Sequence, residues 1–232
     1  MMTEPIELRP VAVYTCDFPL KFGLPRQSGL AADLRGRVVL LPGFQNPDYL
    51  RGIEGYSHLW LLWHCSLSPQ AHSPTVRPPK LGGNTRVGVF ASRSPVRPNP
   101  IGLSCVRLKS IGKTEDGALC LNVSGGDLAD GTPILDIKPY LAYTDAHPDA
   151  TSGFAKTEGT LEVVVPPTLL EEIPEELRPG LLQSLSLDPR PGYQDAPDRV
   201  YFLRYANWDV GFTVAGETLR VVEVKPVQEA SG

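Results

Sequence analysis

Short apolar segments separated by clusters of Gly, Pro, Asn and Asp dominate the first 145 residues of this 232-residue chain. Apolar and polar side chains alternate within them; Val106 and Leu108, for example, alternate with Arg107 and Lys109. A period of two is typical of half-buried antiparallel strands, and many evenly spaced short strands predict a β-barrel or a closed sandwich. The predicted strands are RVVLLP (37–42), SHLWLLWHC (57–65), RVGVFASR (86–93), LSCVRLKSI (103–111), ALCLNVSG (118–125) and ILDIKPY (134–140).

Turn signals and composition divide the chain. The dipeptide Asp116-Gly117 lies between two predicted strands and is a strong hairpin signal. The stretch 146–159 is polar, rich in Gly, Ser and Thr, and predicted to be a linker. The sequence therefore predicts a mainly β fold, with an N-terminal antiparallel β-barrel over residues 1–145 and a small α+β C-terminal domain over residues 160–232.

The C-terminal segment has a different pattern from the barrel segment. It opens with TLEVVV (160–165), which predicts a strand. The next stretch has a helical pattern that is interrupted at Pro174 and Pro179, because proline removes a backbone donor. The last strands are predicted to join through Ala215-Gly216.

Charge is distributed unevenly along the chain. The formal net charge is −4, but Gly55–Thr114 contains no Asp or Glu and eight Lys or Arg, so the remainder carries −12. A basic segment in an acidic protein indicates a polyanionic ligand that approaches from one side. The alternative is that these cations only face solvent on strands. They are Arg77, Lys80, Arg86, Arg93, Arg97, Arg107, Lys109 and Lys113.

Several common kinds of site are not expected, because their motifs are missing from the sequence. G-x-G occurs nowhere, which argues against a Rossmann dinucleotide site and against Rossmann-like methyltransferases. P-loop, G-x-S-x-G and H-E-x-x-H motifs are also missing. The four cysteines form no C-x-x-C pair, so no metal is expected. Neither a run of eighteen apolar residues nor a signal peptide is present, and the expected location is cytoplasmic.

The segment GVFASRSPVRPNPIG (88–102) combines a rigid backbone with basic side chains. Its three prolines fix their own φ and restrict the preceding residues to extended conformations. Such a loop loses little entropy when it becomes ordered, so it can hold Arg93, Arg97 and Asn99 in fixed positions. The segment is therefore predicted to belong to a binding site, with a plain rigid connection as the alternative.

Two further polar segments adjoin apolar runs. KFGLPRQSG sets Arg26 and Gln27 beside Pro25, and DLADGTPILDIKPY (127–140) places acidic and small polar residues at the end of a strand. Three polar segments that each adjoin an apolar run predict a single shared cleft.

These segments are similar to the motifs of one known family. PRQ (25–27), RGIEGYSHLWLLW (51–63), RPPKLGGNTRVGVFASRSPVRPNPIGLS (77–104), DLADGTPILDIKPY (127–140) and DPRPGY (188–193) resemble the TsaA/TrmO-like family. The resemblance extends over nearly the whole chain, and its R-S-x-x-R-P-N-P-I-G segment is highly specific.

The resemblance implies an S-adenosylmethionine-dependent tRNA methyltransferase. Its substrate would be N6-threonylcarbamoyladenosine at position 37 (t6A37), beside the anticodon of threonine tRNA, and its product m6t6A37. It also implies a β-barrel in place of a Rossmann domain, a C-terminal extension and a homodimer. A non-catalytic RNA- or nucleotide-binding β-barrel remains the alternative, as does a methyltransferase for a small metabolite.

The resemblance also implies which residues bind the methyl donor. Arg26 or Arg93 is expected to bind the donor's carboxylate, and Asp130 a ribose hydroxyl or the ammonium. The full predicted set is Pro25, Arg26, Gln27, His64, Cys65, Arg93, Leu103, Asp130, Gly131, Thr132 and Pro133.

Further residues are assigned to the transfer and to the RNA. Asn99, Asp136 or a backbone carbonyl is expected to accept the N6 proton, and Tyr140 or Arg97 to stack on the extruded base. The predicted RNA contacts are Arg77, Lys80, Arg86, Arg97, Lys138, Arg190 and Tyr193, with a structural turn in DPRPGY as the alternative for the last two.

Overall fold

Six antiparallel strands close into a barrel in the computed structural model, which describes residues 4–69, 73–78, 81–155, 159–190, 196 and 198–227. The strands of this region, in chain order, are β1 (Ala12–Cys16), β2 (Arg35–Leu40), β3 (His58–His64), β4 (Thr75–Val76), β5 (Val87–Gly88), β6 (Ile101–Lys113), β7 (Leu119–Ser124) and β8 (Thr132–Pro139). The barrel has the order β1-β2-β7-β6-β3-β8, and β4 pairs with β5 in a separate ribbon. This architecture confirms the predicted mainly β fold.

The period-two pattern sends alternate side chains into the barrel. In β3, Leu59 and Leu61 are fully buried, whereas Trp60 and Leu62 lie on the outer face. Tyr14 and Ile134 join them from neighbouring strands in one apolar core. The barrel is therefore filled by side chains, and a ligand has to bind outside its interior.

The predicted hairpin at Asp116-Gly117 is present between β6 and β7. Gly117 has φ +85°, and Thr114 N–H donates to Ala118 C=O at 2.9 Å. The positive φ is the reason that glycine suits this position, because it has no Cβ.

The strand predicted at 86–93 is wrong beyond its first residues. Within 86–93 the paired strand is limited to Val87–Gly88, and Val89–Ala91 forms a 3-10 turn closed by Ser92 N–H donating to Val89 C=O. The turn buries Val89 but leaves Phe90 80% exposed. Local hydrogen bonds satisfy the backbone here in place of a strand ladder. Strand β1 was not predicted from the sequence.

The C-terminal region has one mixed sheet and two short helices. Its strands are β9 (Glu162–Val164), β10 (Tyr201–Tyr205), β11 (Trp208–Ala215) and β12 (Thr218–Pro226), in the order β10-β11-β12-β9, with β9 parallel to β12. The helices of the chain are α1 (Ala142–Asp145) after the barrel, α2 (Pro167–Glu171) and α3 (Arg178–Ser186). Further 3-10 turns lie at Pro42–Phe44, Pro47–Leu50, Ile53–Gly55 and Glu175–Leu177.

One predicted helix break is wrong. Pro174 does separate α2 from the following turn, but Pro179 lies in the first turn of α3. Proline is tolerated there because the first backbone N–H groups of a helix have no intrahelical partner.

The barrel and the C-terminal region share a second apolar core. Phe18 and Leu34, from the segment between β1 and β2, are fully buried with Leu203 and Tyr205 of β10. The rings of Phe18 and Tyr205 meet edge-to-face at 5.0 Å, and Tyr205 Oη donates to Leu177 C=O at 3.2 Å. The segment that carries Pro25–Gln27 is therefore anchored in this shared core. No helix within the described ranges is long and apolar enough to cross a membrane.

Candidate active site

A cavity of about 690 Å³ lies beside the barrel, where four separate segments meet. The segments are 21–27 between β1 and β2, 63–68 at the end of β3, 90–103 with the proline-rich loop and the start of β6, and 127–132 before β8. The predicted shared cleft therefore exists, and all three polar segments of the sequence contribute to it.

The proline-rich loop is tied to its surroundings at both ends. Cys65 N–H donates to Pro100 C=O at 2.8 Å, which joins the loop to the end of β3. Arg93 Nη1 donates to Gln27 Oε1, and Arg97 Nη1 donates to Ser92 C=O at 3.2 Å. The loop thus presents its two guanidinium groups in defined positions beside the cavity.

Most of the predicted donor-binding residues line this cavity. They are Pro25, Arg26, Gln27, His64, Cys65, Arg93, Leu103 and Thr132. Asn99 and Arg97, which were predicted for the transfer step and for RNA, line it as well.

Three predicted donor contacts lie outside the lining: Asp130, Gly131 and Pro133. Asp130 is exposed, and its Oδ1 accepts a hydrogen bond from Cys16 N–H at 3.0 Å. Gly131 N–H donates to Tyr14 C=O at 2.9 Å. These bonds hold this turn against β1.

Two residues predicted for the transfer are also outside the lining. Asp136 forms an ion pair with Lys138 at 2.8 Å, and about half of its side chain is exposed. Tyr140 packs on the outer face of β3, with its ring centroid 5.6 Å from Trp60 and 6.2 Å from His58. Within one chain, the structure does not bring Asp136, Lys138 or Tyr140 to the cavity.

The predicted RNA contacts are spread over several elements. Arg77 and Arg86 are exposed beside the β4–β5 ribbon, and Arg86 Nη1 donates to Thr75 Oγ1 at 2.9 Å. Arg190 forms an ion pair with Asp188 at 2.9 Å, and its side chain is only 12% exposed. Burial raises the pKa of Asp188, but the hydrogen bonds and charge of Arg190 outweigh burial and lower it. Lys80 and Tyr193 lie outside the described residues.

Sequence reasoning missed a hydrogen-bonded chain at one wall of the cavity. Trp63 Nε1 donates to Ser104 Oγ at 2.9 Å, and Ser104 Oγ donates to Asp127 Oδ1 at 2.5 Å. Burial raises the pKa of Asp127, while hydrogen bonds from Ser104 and from Ser28 N–H and the charge of Arg93 partly offset that rise. The signal available in the sequence was a carboxylate directly after Gly125-Gly126 at the end of a strand.

Metal binding was not expected from the sequence. In the part of the chain that the structure describes, no three His, Cys, Asp or Glu side chains are grouped closely enough to hold a metal ion. All four cysteines are free thiols. The predicted independence of metals stays a prediction.

Comparison with known proteins decides the family. The model of the tRNA-methyltransferase O N-terminal domain matches residues 13–146, and the model of the TrmO C-terminal domain matches residues 166–227. The chain belongs to the tRNA-methyltransferase O family. The first TrmO match corresponds to the barrel, and the second covers α2, α3 and strands β10 to β12 of the C-terminal sheet.

Individual members of the TrmO family are similar to this chain over most of its length. The tRNA (adenine(37)-N6)-methyltransferase of Escherichia coli is 35% identical over 231 residues, covering 95% of this chain and 98% of that protein. The enzyme of the same name from Eikenella corrodens is 45% identical over 171 residues, covering 68% and 91%. A crystal structure of TrmO from Pseudomonas aeruginosa superposes with a TM-score of 0.77 at 34% identity, covering 96% of this chain and all of that chain (100%).

Proposed function

We propose that this chain is an S-adenosylmethionine-dependent tRNA (adenine(37)-N6)-methyltransferase that converts t6A37 to m6t6A37 in threonine tRNA. Full-length similarity to the Escherichia coli enzyme of that name supports the reaction and the class of substrate. The observation that carries the proposal is the single cavity at which PRQ (25–27), the end of β3 and the proline-rich loop meet. These are the segments that the resemblance assigns to the donor.

The cavity has the size and chemistry that the donor needs. A volume of about 690 Å³ is within the range of small-molecule sites, and Trp63, Phe90 and Leu103 provide apolar surface for an adenine. Guanidinium groups of Arg26 and Arg93 are suited to a carboxylate. When bound, S-adenosylmethionine supplies an electrophilic methyl group with a neutral leaving group.

The protein's main task in the transfer is alignment. The N6 nitrogen of adenosine is a weak nucleophile because its lone pair is delocalised into the ring, so the cavity has to hold it about 3–3.5 Å from the methyl group. Asn99 lines the cavity, and its side-chain oxygen is suited to accept a hydrogen bond from the N6–H of the target, while the proton released on methylation passes to solvent. Arg97 lines the same cavity and offers a planar surface for the extruded base.

The other partners are a second copy of the chain and the tRNA. Exposed apolar side chains at the cavity rim support a homodimer; Phe90 is 80% exposed, Leu67 55% and Leu103 52%. Exposed Arg77 and Arg86 are suited to phosphate contacts. A tRNA substrate supports the expected cytoplasmic location. The domain boundaries 1–145 and 160–232 with a linker between them remain predictions.

The decisive experiment is mass spectrometry of tRNA nucleosides from a strain that lacks this gene. We expect m6t6A to disappear from threonine tRNA and to return with the wild-type gene but not with Arg93→Ala. Persistence of m6t6A in the deletion strain would contradict the proposed reaction. Full transfer by Arg93→Ala would contradict the placement of the donor.

The alternative is an RNA-binding barrel without catalysis. Such a module would bind tRNA and leave the mass of every nucleoside unchanged. Incubation of purified protein with donor and t6A-containing tRNA separates the two functions, because only the enzyme adds the mass of a methyl group.

A further inference from the structure

We propose that Arg93 and Asp127 together bind the α-amino-acid end of the methyl donor, with Arg93 on its carboxylate and Asp127 on its ammonium. This assignment rests on the proposed function and adds a binding residue, Asp127, that the sequence resemblance did not include. It replaces the predicted role of Asp130.

The charges of the cavity lead to this assignment. Its lining contains four cations and, among the described residues, a single carboxylate, that of Asp127. The donor's amino-acid end carries one carboxylate and one ammonium. The cations offer several partners for the carboxylate, whereas only Asp127 offers the ammonium an opposite charge. The four cations are Lys21, Arg26, Arg93 and Arg97.

Asp127 is held rigidly enough to act as a binding group. Ser104 on β6 donates to its Oδ1, and Trp63 on β3 fixes Ser104 in turn. The carboxylate is therefore held in one orientation relative to two barrel strands, and little entropy is lost when a ligand binds.

Arg93 and Asp127 line the same cavity. The charge of Arg93 acts on the Asp127 carboxyl, yet within the described part of the chain Arg93 donates to Gln27 and forms no direct ion pair with Asp127. Opposite charges that face one cavity but remain apart leave both able to bind a zwitterion between them.

Asp130 cannot readily take this role within the chain. Its carboxylate accepts a hydrogen bond from Cys16 N–H and lies outside the lining, although only two residues separate it from Asp127. The pair also distinguishes the donor from the proposed substrate. The threonyl part of t6A has a carboxylate, but its nitrogen is acylated and carries no ammonium for Asp127 to bind.

Calorimetric titration of the full-length protein with two product-like ligands tests the proposal. S-adenosylhomocysteine has the amino-acid end, whereas 5′-methylthioadenosine has the same adenosine and thioether sulfur without it. We expect Asp127→Asn to lower the affinity for S-adenosylhomocysteine by roughly 10- to 100-fold, the range of a lost charge-assisted hydrogen bond. The affinity for 5′-methylthioadenosine should stay within about twofold of the wild-type value. Asp130→Asn is the matched control and should change neither affinity.

A second variant keeps the test independent of the fold of Asp127→Asn. Arg93 is exposed, so Arg93→Gln is expected to fold normally and to show the same selective loss of affinity for S-adenosylhomocysteine. An equal loss of affinity for both ligands in Asp127→Asn would overturn the proposal. It would mean that the carboxylate binds the ribose or only maintains the shape of the cavity. Unchanged S-adenosylhomocysteine affinity in either variant would overturn it too. Wild-type protein that binds no S-adenosylhomocysteine would overturn the proposed function itself.

Discussion

The indole of Trp63 lies directly against the backbone of Gly102, in the space that a Cβ at residue 102 would need. The two residues face each other in the β3–β6 pairing, and both line the cavity. Glycine is therefore required at this position by close packing, and its contact fixes the ring whose Nε1 holds Ser104. One wall of the candidate site thus depends on residue 102 being a glycine, which has no side chain.

Gly102→Ala is expected to displace Trp63 and to destabilise the fold by about 1 to 3 kcal/mol, as overpacking does in a close-packed region. The shift should also weaken binding of S-adenosylhomocysteine. Denaturant unfolding and calorimetry measure the two effects. Gly88→Ala is the control, because a Cβ at Gly88 meets nothing within 4 Å. A Gly102→Ala protein of wild-type stability would show that the Trp63 contact is not restrictive.

Asp127→Asn is expected to raise thermal stability at neutral pH while donor binding falls. Burial raises the pKa of Asp127 above its ordinary value of 3.8, more than Ser104, Ser28 N–H and Arg93 offset. Because the pKa of Asp127 is higher in the folded state than in the unfolded chain, the stability that this group contributes below pH 3.8 is lost as the pH rises through its folded-state pKa. Asparagine has no such loss, so the difference in Tm should shrink as pH falls towards 4. A difference in Tm that stays constant from pH 4 to 8 would contradict burial of the Asp127 charge as its cause.

Phe18→Ala is expected to destabilise the protein by about 3 to 5 kcal/mol, because a fully buried aromatic ring is removed from a core. Phe18 packs against Tyr205 across the boundary between the barrel and the C-terminal sheet. The loss should therefore appear in the unfolding of both regions, measured by urea titration. Phe202→Ala, at a ring that is 54% exposed, should cost much less.

Asn99→Ala is expected to lower the methyl-transfer rate about tenfold, because the target loses the hydrogen bond that orients its N6–H towards the methyl group. Its side chain belongs to the cavity lining. Asp136→Asn should change the rate less, because Asp136 is paired with Lys138 outside the lining. Single-turnover assays on t6A-containing tRNA measure both. The reverse order of effects would favour a role for Asp136 in the site of a partner copy.

Arg77→Gln and Arg86→Gln are each expected to weaken tRNA binding and to reduce the slope of log K against log salt by about 0.7 to 0.9 per lost phosphate contact. Both side chains are exposed. Arg190→Gln should leave the slope nearly unchanged and lower stability instead, since Arg190 is bonded to Asp188 and little exposed. Binding isotherms at several salt concentrations separate the two kinds of arginine.

Local pattern predicted every barrel strand except β1, and it was misleading at two places. The alternation at 86–93 is real, yet Val89 becomes buried through a 3-10 turn, because that segment finds only a two-residue pairing partner in Thr75–Val76. The helical pattern predicts a break in the helix at Pro179, although the first turn of α3 accepts a proline there. Both errors concern where backbone donors find acceptors, which depends on segments distant in sequence.

By itself the sequence determined most of the barrel strands, the hairpin turn at Asp116-Gly117 and the polar segments that form the cleft, because alternation, Asp-Gly turns and proline restrict the backbone locally. Only the tertiary structure decided which carboxylate faces the cavity. Asp127 and Asp130 are three residues apart on one loop, but Asp130 is bonded to β1, while barrel closure brings Ser104 and Trp63 to Asp127. Those partners lie on other strands, and no local pattern in the loop encodes them.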